Sequence, residues 1–287
     1  MNSALKDMLD AYQPKTPIDY QNAAREVVQE LALLGLWRGG FFTNAAFYGG
    51  TALRIFHGLR RFSEDLDFTL IEENADVRLD RHLSDIGAEL KSWGFTFEVE
   101  SRSSRSRTGI ESAFLKGSTQ LNLLHIGAPS DLAQRLPSSQ KIKIKLEMDL
   151  QPPPYATTEF RAQILPTPYQ VRLYDPSSLF AGKLHAVLCR GWKNRIKGRD
   201  FYDFVWYVGR KIVPNLKHLD ARMRQSGHWT GEPVTREVLN SLLKKRFGEI
   251  DFREAADEVR VFLHDLREVE LWSKEFFVDL ANRIPTG

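Results

Sequence analysis

The sequence predicts an α+β domain followed by a helical domain. Three observations carry this. One segment alternates without a break, short strand-like and helix-like stretches crowd the first 172 residues, and the patterning turns helical after "VRLYDP". In the alternating segment "KIKIKLEMDL", Ile142, Ile144, Leu146, Met148 and Leu150 face one way and Lys143, Lys145, Glu147 and Asp149 the other. A strand with one buried and one charged face has this pattern.

The other elements follow in chain order. Tyr20, Ala23, Ala24, Val27, Val28, Leu31 and Leu34 keep the 3.6-residue period, so "YQNAAREVVQELALLGL" is expected as an amphipathic helix. "AAFYGG" reads as a strand or extended turn ending at Gly49-Gly50, "TALRIFHGL" as a short helix, and "SEDLDFTLI" as a strand. That strand sets Asp65 and Asp67 on one face and Leu66 and Phe68 on the other. A helix, "VRLDRHLSDIGAELKSWG", gives way to the strand "FTFEVES"; the basic run "SRSSRSR" reads as a hairpin turn, and "SAFLKG" and "LNLLHIG" as strands. "QPPPY" breaks regular structure. Asp175 can cap a helix with Pro176 at its first position, and "SSLFAGKLHAVLCR" carries that helix on. "DFYDFVWYVGR", "TREVLNSLLKKRF", "REAADEVRVFLHDL" and "WSKEFFVDLANRI" are four more helices. The expected domains are therefore residues 1–172 and 173–287.

Composition removes several classes. With 42% hydrophobic and 27% charged residues the chain is an ordinary globular protein. No apolar run approaches the roughly 20 residues of a membrane span, and the N-terminus lacks a basic start followed by an apolar stretch. A cytoplasmic location with no membrane partner is expected. The single cysteine, Cys189, speaks against disulfides and against a Cys-based zinc site, and the seven histidines show no metal-ligand spacing. Cys189 reads as a small buried hydrophobe and His185 as a packing residue. The net charge of +3 decides little, but "SRSSRSR" and "RGWKNRIKGR" concentrate positive charge that solvent or an anionic partner could face.

Three features combine. A Gly49-Gly50-Thr51 turn ahead of a helix can offer backbone N–H groups and a helix dipole to phosphate oxygens. Asp65 and Asp67 project side by side, where a divalent cation resolves their mutual repulsion; Mg²⁺ suits oxygen ligands. Glu147 and Asp149, on one face of "KIKIKLEMDL", offer an acid from a second strand that can lie beside theirs. Such an acid completes a metal site or accepts a hydroxyl proton.

A glycine turn, a short helix, a DxD strand and a later strand acid resemble the core of polymerase-β-type nucleotidyltransferases. More specifically, "GGTALRIFHGLRRFSEDLDF" together with "FAGKLHAVLCRGWKNRIKGRDFYDF" resembles the AbiEii/AbiGii toxin family, with its GGTAL, R-[FY]-S-x-D-[IL]-D, K-[LI]-x-A and RD-x-YD blocks. The resemblance spans roughly residues 45–210 and implies a mixed-sheet nucleotidyltransferase core ahead of the helical domain. It implies that Gly49, Gly50 and Thr51 bind nucleotide phosphates and that Asp65, Asp67 and Glu147 hold Mg²⁺, with Mn²⁺ as a substitute. Lys183 would neutralise triphosphate charge, and Asp200 would act as a base or position that lysine. Asp203 is set aside as structural. Arg61, Ser63 and Arg199 are motif positions; Arg61 and Ser63 are counted with the nucleotide site, and either arginine could reach a phosphate or pair with a carboxylate.

The implied activity is transfer of NMP from an NTP to an RNA hydroxyl, tRNA foremost, by a toxin of a toxin–antitoxin or phage-defence (abortive infection) pair. A cognate antitoxin would be its protein partner. Two readings compete with this. One is a nucleotidyltransferase that modifies a protein or small molecule; the other is a non-catalytic nucleotide-binding regulatory module.

Overall fold

The computed structural model describes residues 3–72, 77–102, 109–191 and 196–285. The chain forms two compact units. The first comprises residues 1–51, 63–152 and 160–173; the second comprises residues 52–62, 153–159 and 174–287. The second unit thus draws in two short segments, residues 52–62 and 153–159, from ahead of its helices in the chain.

The first unit opens with helices α1 (Ser3–Ala11) and α2 (Pro17–Arg38). Helix α2 starts ahead of its first periodic apolar residue because Thr16, Pro17 and Asp19 form a start signal: Thr16 and Asp19 make a reciprocal capping box around Pro17. Strand β1 (Ala45–Tyr48) leads directly into helix α3 (Gly49–His57), and β2 (Leu66–Leu70) follows. Next come α4 (Leu83–Ser92), β3 (Glu98–Arg102), β4 (Ile110–Ser118), α5 (Thr119–His125) and α6 (Ser130–Gln134). Strands β5 (Lys141–Asp149), β6 (Thr158–Gln163) and β7 (Tyr169–Tyr174) complete a seven-stranded sheet in the order β3-β4-β5-β2-β1-β7-β6. The sheet is mixed: β2 runs parallel to β5 and β1 to β7, whereas β1/β2, β3/β4 and β4/β5 are antiparallel.

Strand β5 follows its alternation. Ile142, Ile144, Leu146 and Met148 are fully buried, each contributing about 1.5–3 kcal/mol of apolar burial. The expected strand "LNLLHIG" is instead helix α5. Thr119, Asn122 and Leu123 are its buried positions and the C-cap Ile126 is buried with them, a helical spacing, while Leu121 is 65% exposed. Because leucines occupy both the inward and the outward positions, the apolar run conceals its own period. Helices α1 and α6 and strand β6 carry too short or too polar a pattern to stand out.

The second unit is helical: α7 (Pro176–Cys189), α8 (Gly198–Gly209), α9 (Leu216–Gln225), α10 (Arg236–Phe247), α11 (Phe252–Arg260) and α12 (Lys274–Asn282). Asp175 caps α7, accepting from the Ser178 N–H at 2.8 Å. The core is a phenylalanine cluster in which Phe201, Phe204, Phe247, Phe252 and Phe277 meet. Phe252 stacks on Phe277 at 4.3 Å. Such ring pairs add about 0.5–1.5 kcal/mol each beyond area burial. Among the described residues, no helix is long and apolar enough to cross a membrane.

Candidate active site

The sheet unit gathers the glycine turn and the acids. Strand β1 ends at Tyr48, the register partner of Asp67. The chain then turns through Gly49 at φ +84° into α3. A Cβ on Gly49 would lie 2.4 Å from Asp67 Oδ2, so only glycine lets the turn rest against that carboxylate. On the other side of β2, the parallel register pairs Asp67 with Glu147 and Thr69 with Asp149. Register partners share a face of the sheet, so Glu147 stands next to Asp67. Asp149 lies farther along, where its Oδ1 accepts from the Gln151 N–H at 2.9 Å and closes the end of β5. Glu147 also pairs with Lys145 at 2.6 Å.

Asp65 precedes β2, and its position is fixed through the backbone. Thr51 Oγ1 donates to the Asp65 carbonyl. A hydroxyl has one proton, so the 2.9 Å contact between Thr51 Oγ1 and Ser63 Oγ runs with Ser63 donating. From α2, Gln29 Nε2 donates to the Ser63 carbonyl at 3.3 Å and to the Glu64 carbonyl at 2.9 Å. Thr51, Ser63 and Gln29 are buried, while Asp65, Asp67 and Glu147 stay partly exposed. The hydroxyls of Thr51 and Ser63, two residues of the expected nucleotide site, are engaged within the protein, Thr51 on the Asp65 carbonyl and Ser63 on Thr51. Gln29 was missed; its one sequence signal is a polar residue inside an apolar helical stripe.

The helical unit gathers a second, charged group. Lys183 Nζ lies 2.7 Å from Asp200 Oδ1 and 2.8 Å from Asp203 Oδ2. Arg61 grips both Asp203 oxygens, through Nε at 2.6 Å and Nη2 at 2.7 Å, and its Nη1 donates to the Phe62 carbonyl at 2.9 Å. Arg190 pairs with Asp200. Burial alone would raise the Asp203 carboxyl, but Arg61 and Lys183 outweigh it and hold the group below the ordinary carboxylate range. Asp203 is 0% and Arg61 3% exposed. Arg61 therefore does not stand ready for a phosphate; its fork is committed to Asp203. Of the two roles the sequence leaves open for Arg199, the structure shows the carboxylate pair, with Glu258 at 3.5 Å. At the head of α8, a Cβ on Gly198 would fall 1.7 Å from the Ala255 carbonyl, so the glycine of "KGRDF" is set by packing against α11.

One other expectation is revised. The histidines do include a ligand-like group: His185 and Cys189 are one helical turn apart on α7, and their donor atoms and one from His228 all lie within 4.8 Å of one another. The basic run Arg102–Arg107, expected as a turn and a phosphate contact, lies outside the described residues apart from the backbone of Arg102, as do residues 192–195 of Arg190–Arg199.

A mixed sheet that sets a glycine turn and a second-strand glutamate on either side of a DxD aspartate is the core of a nucleotidyltransferase. The model of one protein family, described as "Nucleotidyl transferase AbiEii toxin, Type IV TA system", matches residues 31–279. The chain belongs to this family of type IV toxin–antitoxin nucleotidyltransferases. The crystal structure of JHP933 from Helicobacter pylori has a similar fold, with a TM-score of 0.51 over 92% of this chain and 91% of that one, at 17% identity. A "putative nucleotidyltransferase from H. pylori" aligns with a TM-score of 0.49 over 91% of this chain and 92% of that one, at 16% identity. No curated protein matches the sequence.

Proposed function

We propose that the protein transfers NMP from an NTP to a hydroxyl of an RNA, tRNA foremost, and acts in the cytoplasm as the toxin of an abortive-infection pair restrained by a cognate antitoxin. The observation that carries this reading is the register that sets Glu147 beside Asp67 with Gly49 against the same aspartate. Asp65, Asp67 and Glu147 offer oxygen donors alone, the set a hard cation selects, so these residues would hold Mg²⁺, or Mn²⁺ in its place. When bound, the cation supplies charge neutralisation for the triphosphate and the departing pyrophosphate.

The rest of the work falls to the chain. The first N–H groups of α3, at Gly50 and Thr51, have no partner within the helix and lie at its positive end, which supports a phosphate-binding role. The hydroxyl oxygen attacks the α-phosphorus, the bond to pyrophosphate breaks, and the hydroxyl proton passes to Glu147. Lys183 contributes positive charge toward the triphosphate, with Asp200 orienting its ammonium at 2.7 Å. Thr51, supported by Ser63, holds the Asp65 carbonyl, Gln29 holds those of Ser63 and Glu64, and Arg61 holds Asp203. The basic stretch Arg190–Arg199 supplies RNA phosphate contacts.

Incubating the protein with each α-³²P-labelled NTP, Mg²⁺ and total cellular RNA tests the reading. Label on RNA that disappears with Asp67→Ala is expected. Label on protein or a small molecule would replace the acceptor, and no label anywhere would remove the transferase.

A further inference from the structure

We propose that the helical unit carries a zinc site formed by His185, Cys189 and His228, separate from the carboxylate cluster. His185 and Cys189 lie on one face of α7, and His228 comes from the segment after α9. Their donor atoms all lie within 4.8 Å of one another. The two imidazoles also converge on a single point: Ser226 Oγ is 2.9 Å from His185 Nε2 and 2.9 Å from His228 Nδ1. The rings stand edge to face at 89°, with centroids 6.3 Å apart.

Tetrahedral zinc, with bonds of about 2.0–2.1 Å to nitrogen and 2.3 Å to sulfur, needs donors separated by roughly 3.3–3.6 Å. With every donor inside 4.8 Å, closure takes at most about 1.5 Å, within reach of side-chain rotation at the exposed His228 and along α7. Two imidazoles and a thiolate are borderline-soft donors that favour zinc over magnesium or calcium. The thiol proton leaves to solvent as the Zn–S bond forms. The Ser226 hydroxyl or a water completes the fourth position. Arg222 and Arg190 act electrostatically on His185. A dication entering beside these guanidiniums depends on the thiolate for its opposing charge, so Cys189 contributes most. Once filled, the site ties the last turn of α7, the helix of Lys183, to the segment after α9.

Titrating Zn²⁺ into the EDTA-stripped full chain against a chromophoric chelator tests this without reference to transferase activity. One zinc per chain is expected. Cys189→Ser should weaken binding by about 100-fold or more and His228→Ala by at least about 10-fold, since loss of a mere outer-shell partner already costs about 10–100-fold. Cobalt in place of zinc should give a thiolate charge-transfer band that Cys189→Ser abolishes. Asp67→Ala should leave binding unchanged. His228 is exposed, so its variant remains informative if the buried Cys189→Ser fails to fold. Sub-stoichiometric binding, retention of full affinity by His228→Ala, or loss of zinc in Asp67→Ala would each overturn the site.

Discussion

The two charged groups of this molecule are held in opposite ways. In the helical unit Asp203 is clamped by its own carboxylate: Arg61 takes both oxygens, Lys183 shares one, and no part of the residue meets solvent. In the sheet unit the clamps grip the backbone instead. Thr51 and Gln29 engage main-chain carbonyls of residues 63–65, Ser63 supports Thr51, and Asp65 and Asp67 stay partly exposed. The first arrangement spends a charge on holding the fold. The second fixes a charge in place while leaving it accessible to a ligand, which is what preorganisation for a phosphate reaction requires.

Substitutions separate the two modes. The largest effect is expected from Asp67→Ala, which should lower nucleotidyl transfer by about 10⁴-fold, roughly 5 kcal/mol of barrier, with the unfolding midpoint little changed. Asp203→Ala should do the reverse in kind. It leaves Arg61 buried without its partner, so stability in urea should fall by about 3–5 kcal/mol. A soluble Asp203→Ala protein with an unchanged midpoint would break the comparison.

A pH series sharpens the helical side. His218 is fully buried; its Nδ1 pairs with the Pro154 carbonyl at 2.8 Å and its Nε2 has no partner among the described residues. Burial, with Arg222 adding, lowers its pKa to about 4. The unfolded chain takes up the proton first, so this contribution to stability is complete above about pH 6.5 and shrinks as pH falls toward 4. The loss should approach roughly 3 kcal/mol, and His218→Gln should flatten the dependence. Gly49→Ala, which forces a Cβ onto Asp67, should cost about 10²-fold in transfer through displacement of the carboxylate. Thr51→Val is the smallest test: about 1–2 kcal/mol of stability from the stranded Asp65 carbonyl, with transfer reduced in step.

Much of the architecture is legible in the sequence because local pattern and tertiary demand agree there. The alternation of Lys141–Leu150, the Asp175-Pro176 start of α7 and the mixed α+β layout all follow from period and capping. Where they fail is equally physical. Helix α5 is hidden by Leu121 and Leu124, apolar residues placed on its outer face. The grip of Gln29 on Ser63 and Glu64 joins residues more than thirty positions apart, and no local pattern announces such a bond. Arg61 and Asp203 lie 142 positions apart, so their pairing, and with it the loss of Arg61 as a phosphate ligand, emerges only from the fold. His185 and Cys189 could have been found as an i,i+4 pair; His228 could not.

The parallel pairing of β2 with β5 has a consequence for the life of the chain before it is folded. Asp67 meets Glu147 only across a closure of some eighty residues, and parallel strands so far apart pair late, after the entropy of that closure has been met. A ribosome-bound fragment that ends ahead of β5 contains the glycine turn and both aspartates yet lacks the strand that brings the third acid. For a chain of a toxin family, this topology delays assembly of the cluster until most of the sheet unit has been synthesised.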